Sequence, residues 1–198
     1  MKKIGIVLRL DTFGKHNEKR DNLDVRFISL LQDLKFFPIL IPSKIGDINS
    51  YLKKSSLDGV ILSPGGDPLE NNSRRKNEYK IIRYSILNNI PILGICRGAQ
   101  VLNLYFGGNL KKVNNHVRKN HALYGNLIKS NKVIVNSYHN LGFDKNFLGR
   151  DLKIEAYTKD KVIECFRHKK YKILGIMWHP ERYKKLKLFD KKILKSFF

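Results

Sequence analysis

Short apolar runs alternate with helix-periodic segments through the first half of the chain, and this rhythm restricts the fold more than any other feature. Residues 3–10 (KIGIVLRL) read as a buried strand. Residues 21–36 then carry Leu23, Phe27, Leu30, Leu31 and Leu34, spaced for one face of a helix. A second strand over 37–41 stops at Pro42, and a short helix is expected over 48–54. Residues 57–63 form a third apolar run, ending in the turn Pro64-Gly65-Gly66-Asp67-Pro68. A helical pattern over 78–87, a strand over 90–95 and a helix over 98–105 complete the series. Strands separated by helices predict an α/β fold with a mostly parallel sheet covered on both faces.

The second half differs. Residues 132–137, 152–157, 162–166 and 172–177 are all β-like, so an added antiparallel β portion is expected there. The last 15 residues place Leu186, Phe189, Ile193, Leu194 and Phe197 on one helical side. Residues 114–124 are polar and lack periodicity, which predicts a mobile loop. No linker, repeat or low-complexity tract interrupts the 198 residues, so one domain over 1–198 is expected.

Composition excludes several classes. The hydrophobic share of 42% argues against disorder. No apolar run reaches the ~20 residues a membrane helix needs. The first residues, MKKIGIVLRLDTFGK, begin like an export signal, but Arg9 and Asp11 interrupt a short apolar stretch and no small-residue cleavage site follows. A cytoplasmic protein with two reduced cysteines is expected, with no membrane partner. The formal net charge of +22 first suggests a polyanion. Its basic residues are dispersed, however, over 15–20, 74–76, 111–118, 169–172 and the lysine-rich end. No zinc-finger, helix-turn-helix or aromatic RNA motif accompanies them, so no nucleic-acid partner is expected.

The chemistry centres on Gly94-Ile95-Cys96-Arg97-Gly98, which follows an apolar strand and opens a helix. This is the pattern of a nucleophile elbow, with cysteine in place of serine. Glycines on both sides suit a sharp turn where backbones come close. The helix start offers N–H donors and a positive dipole end, which predicts a lowered thiol pKa. Further along, the strand 172–178 runs into His179-Pro180-Glu181. In an extended chain residues two apart share a face, so a histidine able to move a proton would lie beside a carboxylate able to orient it. Cys165, without elbow geometry, reads as a core thiol. His116 and His121 flank a basic loop and could suggest a metal, but no carboxylate or cysteine completes a ligand set, so neither metal nor cofactor is expected.

Four stretches together resemble the class I glutamine amidotransferases, within the γ-glutamyl hydrolase-like branch. They are ILSPGGDP at 61–68, PILGICRGAQVLNLYFGG at 91–108, VNSYHN at 135–140 and GIMWHPE at 175–181. The resemblance implies a flavodoxin-like sandwich. It implies that Cys96, His179 and Glu181 hydrolyse a γ-glutamyl amide through a γ-glutamyl thioester. It gives Gly66 and Arg97 the role of oxyanion N–H donors, and places Gln100, Asn136, Ser137, Tyr138 and His139 around the glutamyl group. Members of the branch often follow the asparagine-serine motif with two histidines and a glutamine; here Asn140, Leu141 and Gly142 follow His139.

The implied partner is a small γ-glutamyl substrate. Two fates of its nitrogen remain open: release of an amine by a free-standing hydrolase, or supply of ammonia to a separate synthase. No synthase region is fused to these 198 residues, which favours the hydrolase. The basic segment 15–21 follows the first strand, and Arg20 and Lys15 could meet a phosphate. A phosphorylated leaving group, as used by a specialised subset of the branch, would give the positive charge a purpose.

Overall fold

The computed structural model describes residues 1–128 and 132–198. In chain order the elements are β1 (Lys3–Val7), β2 (Arg9–Phe13), β3 (Glu18–Asn22), α1 (Arg26–Asp33), β4 (Phe37–Ile41), α2 (Ile48–Ser55) and β5 (Gly59–Leu62). They continue with α3 (Ser73–Leu87), β6 (Ile92–Ile95), α4 (Arg97–Tyr105), β7 (Lys111–Lys112), β8 (Val117–Ala122), β9 (Ile134–Tyr138) and β10 (Leu141–Gly142). The chain closes with β11 (Leu152–Tyr157), β12 (Ile163–His168), β13 (Ile173–Ile176) and α5 (Leu188–Phe197).

A seven-stranded sheet in the order β11-β12-β13-β6-β5-β1-β4 forms the centre. Its five strands β4, β1, β5, β6 and β13 run parallel, while β12 and β11 add antiparallel to one edge. Counted by appearance, the parallel strands run 2-1-3-4-5, the flavodoxin-like order. Side chains alternate between the two faces. Ile4, Ile6, Ile61, Leu93, Ile95, Leu174 and Ile176 pack with Phe27, Leu31 and Leu194 of α1 and α5. Val7, Val60, Leu62, Ile92 and Ile173 pack on the other face with residues of α2, α3 and α4.

Four local expectations need correction. The strand expected over 3–10 ends at Val7, and the helix expected from residue 21 starts at Arg26. Between them β2 and β3 form an antiparallel hairpin, with Asp21 and Asn22 in its second strand. The segment Glu18–Asn22 is wholly exposed, so it buries no apolar face that could have marked it as a strand. The polar segment expected to be a loop, 114–124, contains β8, which pairs antiparallel with β9. Most of β8 is solvent-facing, which explains its polar composition. Helix α3 starts at Ser73, five residues before the expected start, because Asn72 caps it through Oδ1 and the Arg75 N–H.

Helix α5 is anchored to the end of β13 by one buried contact. The Trp178 Nε1–H donates to Asp190 Oδ1 at 2.8 Å. Burial pushes the Asp190 carboxyl from 3.8 up to about 6, against the opposing effect of the Trp178 hydrogen bond. The folded chain therefore holds this proton more tightly than the unfolded chain. The resulting stabilisation is complete below about pH 3.8 and is lost as pH rises through 6. The difference in thermal midpoint between the native chain and Asp190→Asn should shift against the native chain from pH 4 to 7. A pH-independent difference would refute this assignment.

Candidate active site

Sheet order places three strand ends side by side. Strand β6 lies between β5 and β13, with Leu62 opposite Gly94 and Ile95 opposite Ile176. Residues just beyond these ends therefore converge at the carboxyl edge, where open α/β sheets bind ligands. Gly65 and Gly66 follow β5, Cys96 follows β6, and His179 follows β13.

Cys96 occupies the turn between β6 and α4, with φ 50° and ψ −104°. That conformation is strained for a residue with a side chain. Neighbouring packing enforces it. A Cβ at position 94 would lie 2.6 Å from the Ala99 nitrogen, and one at position 98 would collide with the Leu62 carbonyl. The helix leaves the strand so closely packed against β5 that only glycine fits on either side. The Cys96 N–H is held by the Ile176 carbonyl at 2.8 Å.

The thiol does not match the sequence expectation of a lowered pKa. Burial, reinforced by the Glu181 charge, pushes it up to about 12, while the Arg97 backbone N–H works in the opposite direction. Desolvation of a nearly enclosed sulfur outweighs the helix N-terminus. The resting group is a neutral thiol, so formation of a thiolate needs a base.

His179 is extended, and Pro180–Arg182 forms a single 3₁₀ turn. The expected extended arrangement of 179–181 is therefore replaced by a tight turn, with Pro180 at its first position, where a missing N–H costs nothing. Across this turn His179 Nδ1 lies 2.6 Å from Glu181 Oε1. The carboxylate fixes the Nδ1–H tautomer, leaving Nε2 as the proton acceptor. Nε2 is buried and has no hydrogen-bond partner among the described residues. Cys96 and His179 line one cavity of about 440 Å³.

Gly65 and Gly66 have φ of +86° and +81°, a region that favours glycine and turns the loop's backbone towards the elbow. This loop is held by a buried ion network that the sequence did not disclose. Arg74 donates to the Gly65 carbonyl at 2.7 Å and the Ser63 carbonyl at 2.6 Å. Its Nε donates to Glu78 Oε1 at 2.9 Å, and Arg97 Nη1 reaches the same carboxylate at 2.6 and 2.8 Å. All three side chains are essentially inaccessible. Burial draws the Arg74 guanidinium down to about 10, partly offset by Glu78, so it stays charged at neutral pH. Glu78 thus ties the loop after β5 to the residue that follows Cys96. The sequence reading had placed Arg74 in a dispersed basic segment. Its spacing of four from Glu78 along a helix was the available signal.

The remaining residues fall into two groups. Gln100, Tyr138 and His139 line the cavity with Cys96 and His179, as do Gly66 and Arg97. Gln100 Nε2 donates to the Leu141 carbonyl at 2.7 Å, and His139 Nδ1 lies 3.0 Å from the same oxygen. The Tyr138 ring meets the His179 ring edge-on, with centroids 5.6 Å apart. Asn136 instead grips the His179 backbone: its Oδ1 accepts from the His179 N–H at 2.8 Å, and its Nδ2 donates to the His179 carbonyl at 2.9 Å. Ser137 is fully buried and donates to the His116 carbonyl at 2.6 Å. Arg20 lies on the exposed β2–β3 hairpin, with its Nε on Glu18 at 2.8 Å, and does not line the cavity. Two other arginines border the site. Arg182 lines the main cavity and an adjoining one of about 220 Å³, and Arg9 lines the latter. The Arg182 guanidinium lies over the Tyr138 ring, 4.2 Å from its centroid.

Comparisons agree with this architecture. The class I glutamine amidotransferase family model matches residues 20–198. A γ-glutamyl-CDP-amidate hydrolase of Campylobacter jejuni is 36% identical over 188 residues, covering 90% of each chain. Anthranilate synthase component 2 of Cyanophora paradoxa is 32% identical, covering 81% of this chain and 87% of its own. In fold, the glutaminase domain of CTPS from Trypanosoma brucei, solved with bound acivicin, superposes with a TM-score of 0.70 at 16% identity, covering 100% of this chain and 92% of that one.

Removal of Glu78 would leave two guanidinium groups buried without a counter-charge. Glu78→Ala should lower stability by about 3–5 kcal/mol in urea denaturation. A loss below about 1 kcal/mol would show that the network is not needed to hold the loop.

Proposed function

Because this chain belongs to the class I glutamine amidotransferase family, we propose that it hydrolyses a γ-glutamyl amide with Cys96 as nucleophile. The observation that carries this reading is that Cys96 and His179 line one cavity at the sheet's carboxyl edge, with Glu181 hydrogen-bonded to His179 at 2.6 Å.

The proposed chemistry follows from the protonation states. His179 Nε2 removes the thiol proton as Cys96 Sγ attacks the γ-carbonyl carbon. Glu181 stabilises the imidazolium that forms. The carbonyl oxygen gains negative charge and receives the Gly66 and Arg97 backbone N–H groups. One such donor is worth ~10²–10³ in rate. The C–N bond breaks as His179 returns its proton to the leaving nitrogen, and a γ-glutamyl thioester remains. His179 then takes a proton from water, whose oxygen attacks the thioester carbon and releases glutamate and the free thiol. Gln100, Tyr138 and His139 would contact the glutamyl group. Asn136 and Ser137 act through the backbone that they hold, as their hydrogen bonds support.

For the leaving group we infer a nucleoside diphosphoramidate, so that γ-glutamyl-CDP-amidate would yield glutamate and cytidine diphosphoramidate for capsular polysaccharide modification. The similarity to the Campylobacter jejuni hydrolase supports this substrate. So does the adjoining cavity, where Arg9 and Arg182 could bind phosphate by charge-assisted hydrogen bonds. These two residues take the role that the sequence reading gave to Arg20. The similarity to anthranilate synthase component 2 supports a second reading, a glutaminase that supplies ammonia to a separate synthase.

Turnover of free glutamine measured against γ-glutamyl-CDP-amidate separates the readings. The proposal expects a kcat/KM at least ~10²-fold higher for the nucleotide substrate. Arg182→Ala should lower it by ~10–100-fold, equivalent to about 1.4–2.7 kcal/mol, with little effect on glutamine. Equal efficiency on both substrates would overturn the specialised reading. Unchanged glutamate release by a folded Cys96→Ala variant would overturn the mechanism.

A further inference from the structure

Behind the cavity lies a second cluster of titratable side chains, of which only His139 also lines the cavity. His116 immediately precedes β8, and His139 immediately follows β9. Register pairs Val117 with Tyr138, so both histidines sit at the same end of this two-stranded ribbon. Glu164 reaches them from β12, a strand of the main sheet. All three are buried. Their ligand atoms lie within 4.8 Å of one another. Glu164 Oε1 lies 3.2 Å from His139 Nε2 and 3.3 Å from His116 Nδ1.

The outer sides of the two rings determine what can lie between them. His116 Nε2 lies 3.0 Å from Asp160 Oδ2, and His139 Nδ1 lies 3.0 Å from the Leu141 carbonyl. His116 Nδ1 makes no hydrogen bond among the described residues, so a neutral His116 ring places its single N–H on Asp160 and turns a lone pair towards the Glu164 carboxylate, which is itself only an acceptor. His139 has an acceptor on each side, the Leu141 carbonyl and Glu164 Oε1 at 3.2 Å, so a neutral ring can satisfy only one of them. Among the described residues, His116 Nδ1, Glu164 Oε2 and His121 Nε2 are buried with no hydrogen-bond partner. Two ring nitrogens and a carboxylate converging in a buried cluster call for a cation. Outer acceptors that fix the imidazole tautomer are the usual support for a metal-ligating histidine.

We propose that His116 Nδ1, His139 Nε2 and the Glu164 carboxylate bind one divalent transition-metal ion of the Zn²⁺ class. Two imidazoles and one carboxylate form a donor set suited to that class. His121, whose ring centroid lies 4.2 Å from that of His116, is the candidate fourth ligand. The sequence reading dismissed His116 and His121 for want of a carboxylate. The fold supplies it from Glu164, with Asp160 behind. The ion braces the β8–β9 ribbon against the main sheet, and that ribbon carries Asn136, Tyr138 and His139 towards the cavity. Its role is structural, and the cavity shares only His139 with it.

The test uses untagged, chelator-treated full-length protein carrying Cys96→Ala, which removes the thiol as a competing ligand. It is titrated with Zn²⁺ and, separately, with Co²⁺. One ion per chain is expected. The thermal midpoint should rise by about 5–10 °C at a hundredfold excess over Kd. Co²⁺ should give the visible bands of a four-coordinate nitrogen and oxygen site. Glu164→Gln should abolish binding. Asp160→Asn, at an exposed side chain that is not expected to affect folding, should weaken it ~10–100-fold. Failure of the intact cluster to take up Zn²⁺ would overturn the proposal and show that protons alone neutralise the cluster; binding of unchanged affinity in Glu164→Gln would overturn it by showing that the ion sits elsewhere.

Discussion

The site depends on one crowded crossing of backbones. Helix α4 leaves β6 so close to β5 that position 98 sits against the Leu62 carbonyl. That contact forces Cys96 into a strained turn at the sheet's edge. The strain, of order 1–3 kcal/mol, persists because the parallel strands on either side over-determine the geometry. The flanking ends of β5 and β13 place the glycine loop and the histidine at the same edge, so strand order alone brings together segments far apart in the sequence.

Charge burial completes the arrangement. Glu78 binds two arginines, one holding the loop after β5 and the other following Cys96. The enclosed site raises the thiol pKa to about 12. A neutral thiol on the same cavity as an imidazole whose far nitrogen is fixed by a carboxylate suits the proposed transfer of a proton during attack rather than a standing thiolate. Asn136 holds the backbone of that base through two hydrogen bonds, so the β8–β9 ribbon bears on the position of His179 without touching its ring.

Much of this was legible because it is local. Apolar runs marked the buried strands, and a glycine on each side of Cys96 marked a tight turn before any partner was known. What could not be read depends on long-range pairing. The β2–β3 hairpin and β8 are strands with almost no buried face, so they lack the apolar alternation that reveals a strand. Arg74 looked like one of many surface bases, and its burial follows from the carbonyls of a loop nine residues away. Glu164 lies 48 positions beyond His116 and 25 beyond His139, in a strand where its neighbours Ile163, Cys165 and Phe166 are core, so nothing local linked it to them. The expected lowering of the thiol pKa failed for a related reason: the helix start is visible in sequence, but the depth of burial is not.

The most direct test is to quench the protein in acid during steady-state turnover of a γ-glutamyl amide and map its adducts by mass spectrometry. A γ-glutamyl group on the peptide containing Cys96, labile to hydroxylamine, is the predicted result. Turnover that proceeds with no adduct on that peptide, at a rate unaffected by alkylation of Cys96, would contradict covalent catalysis at this residue.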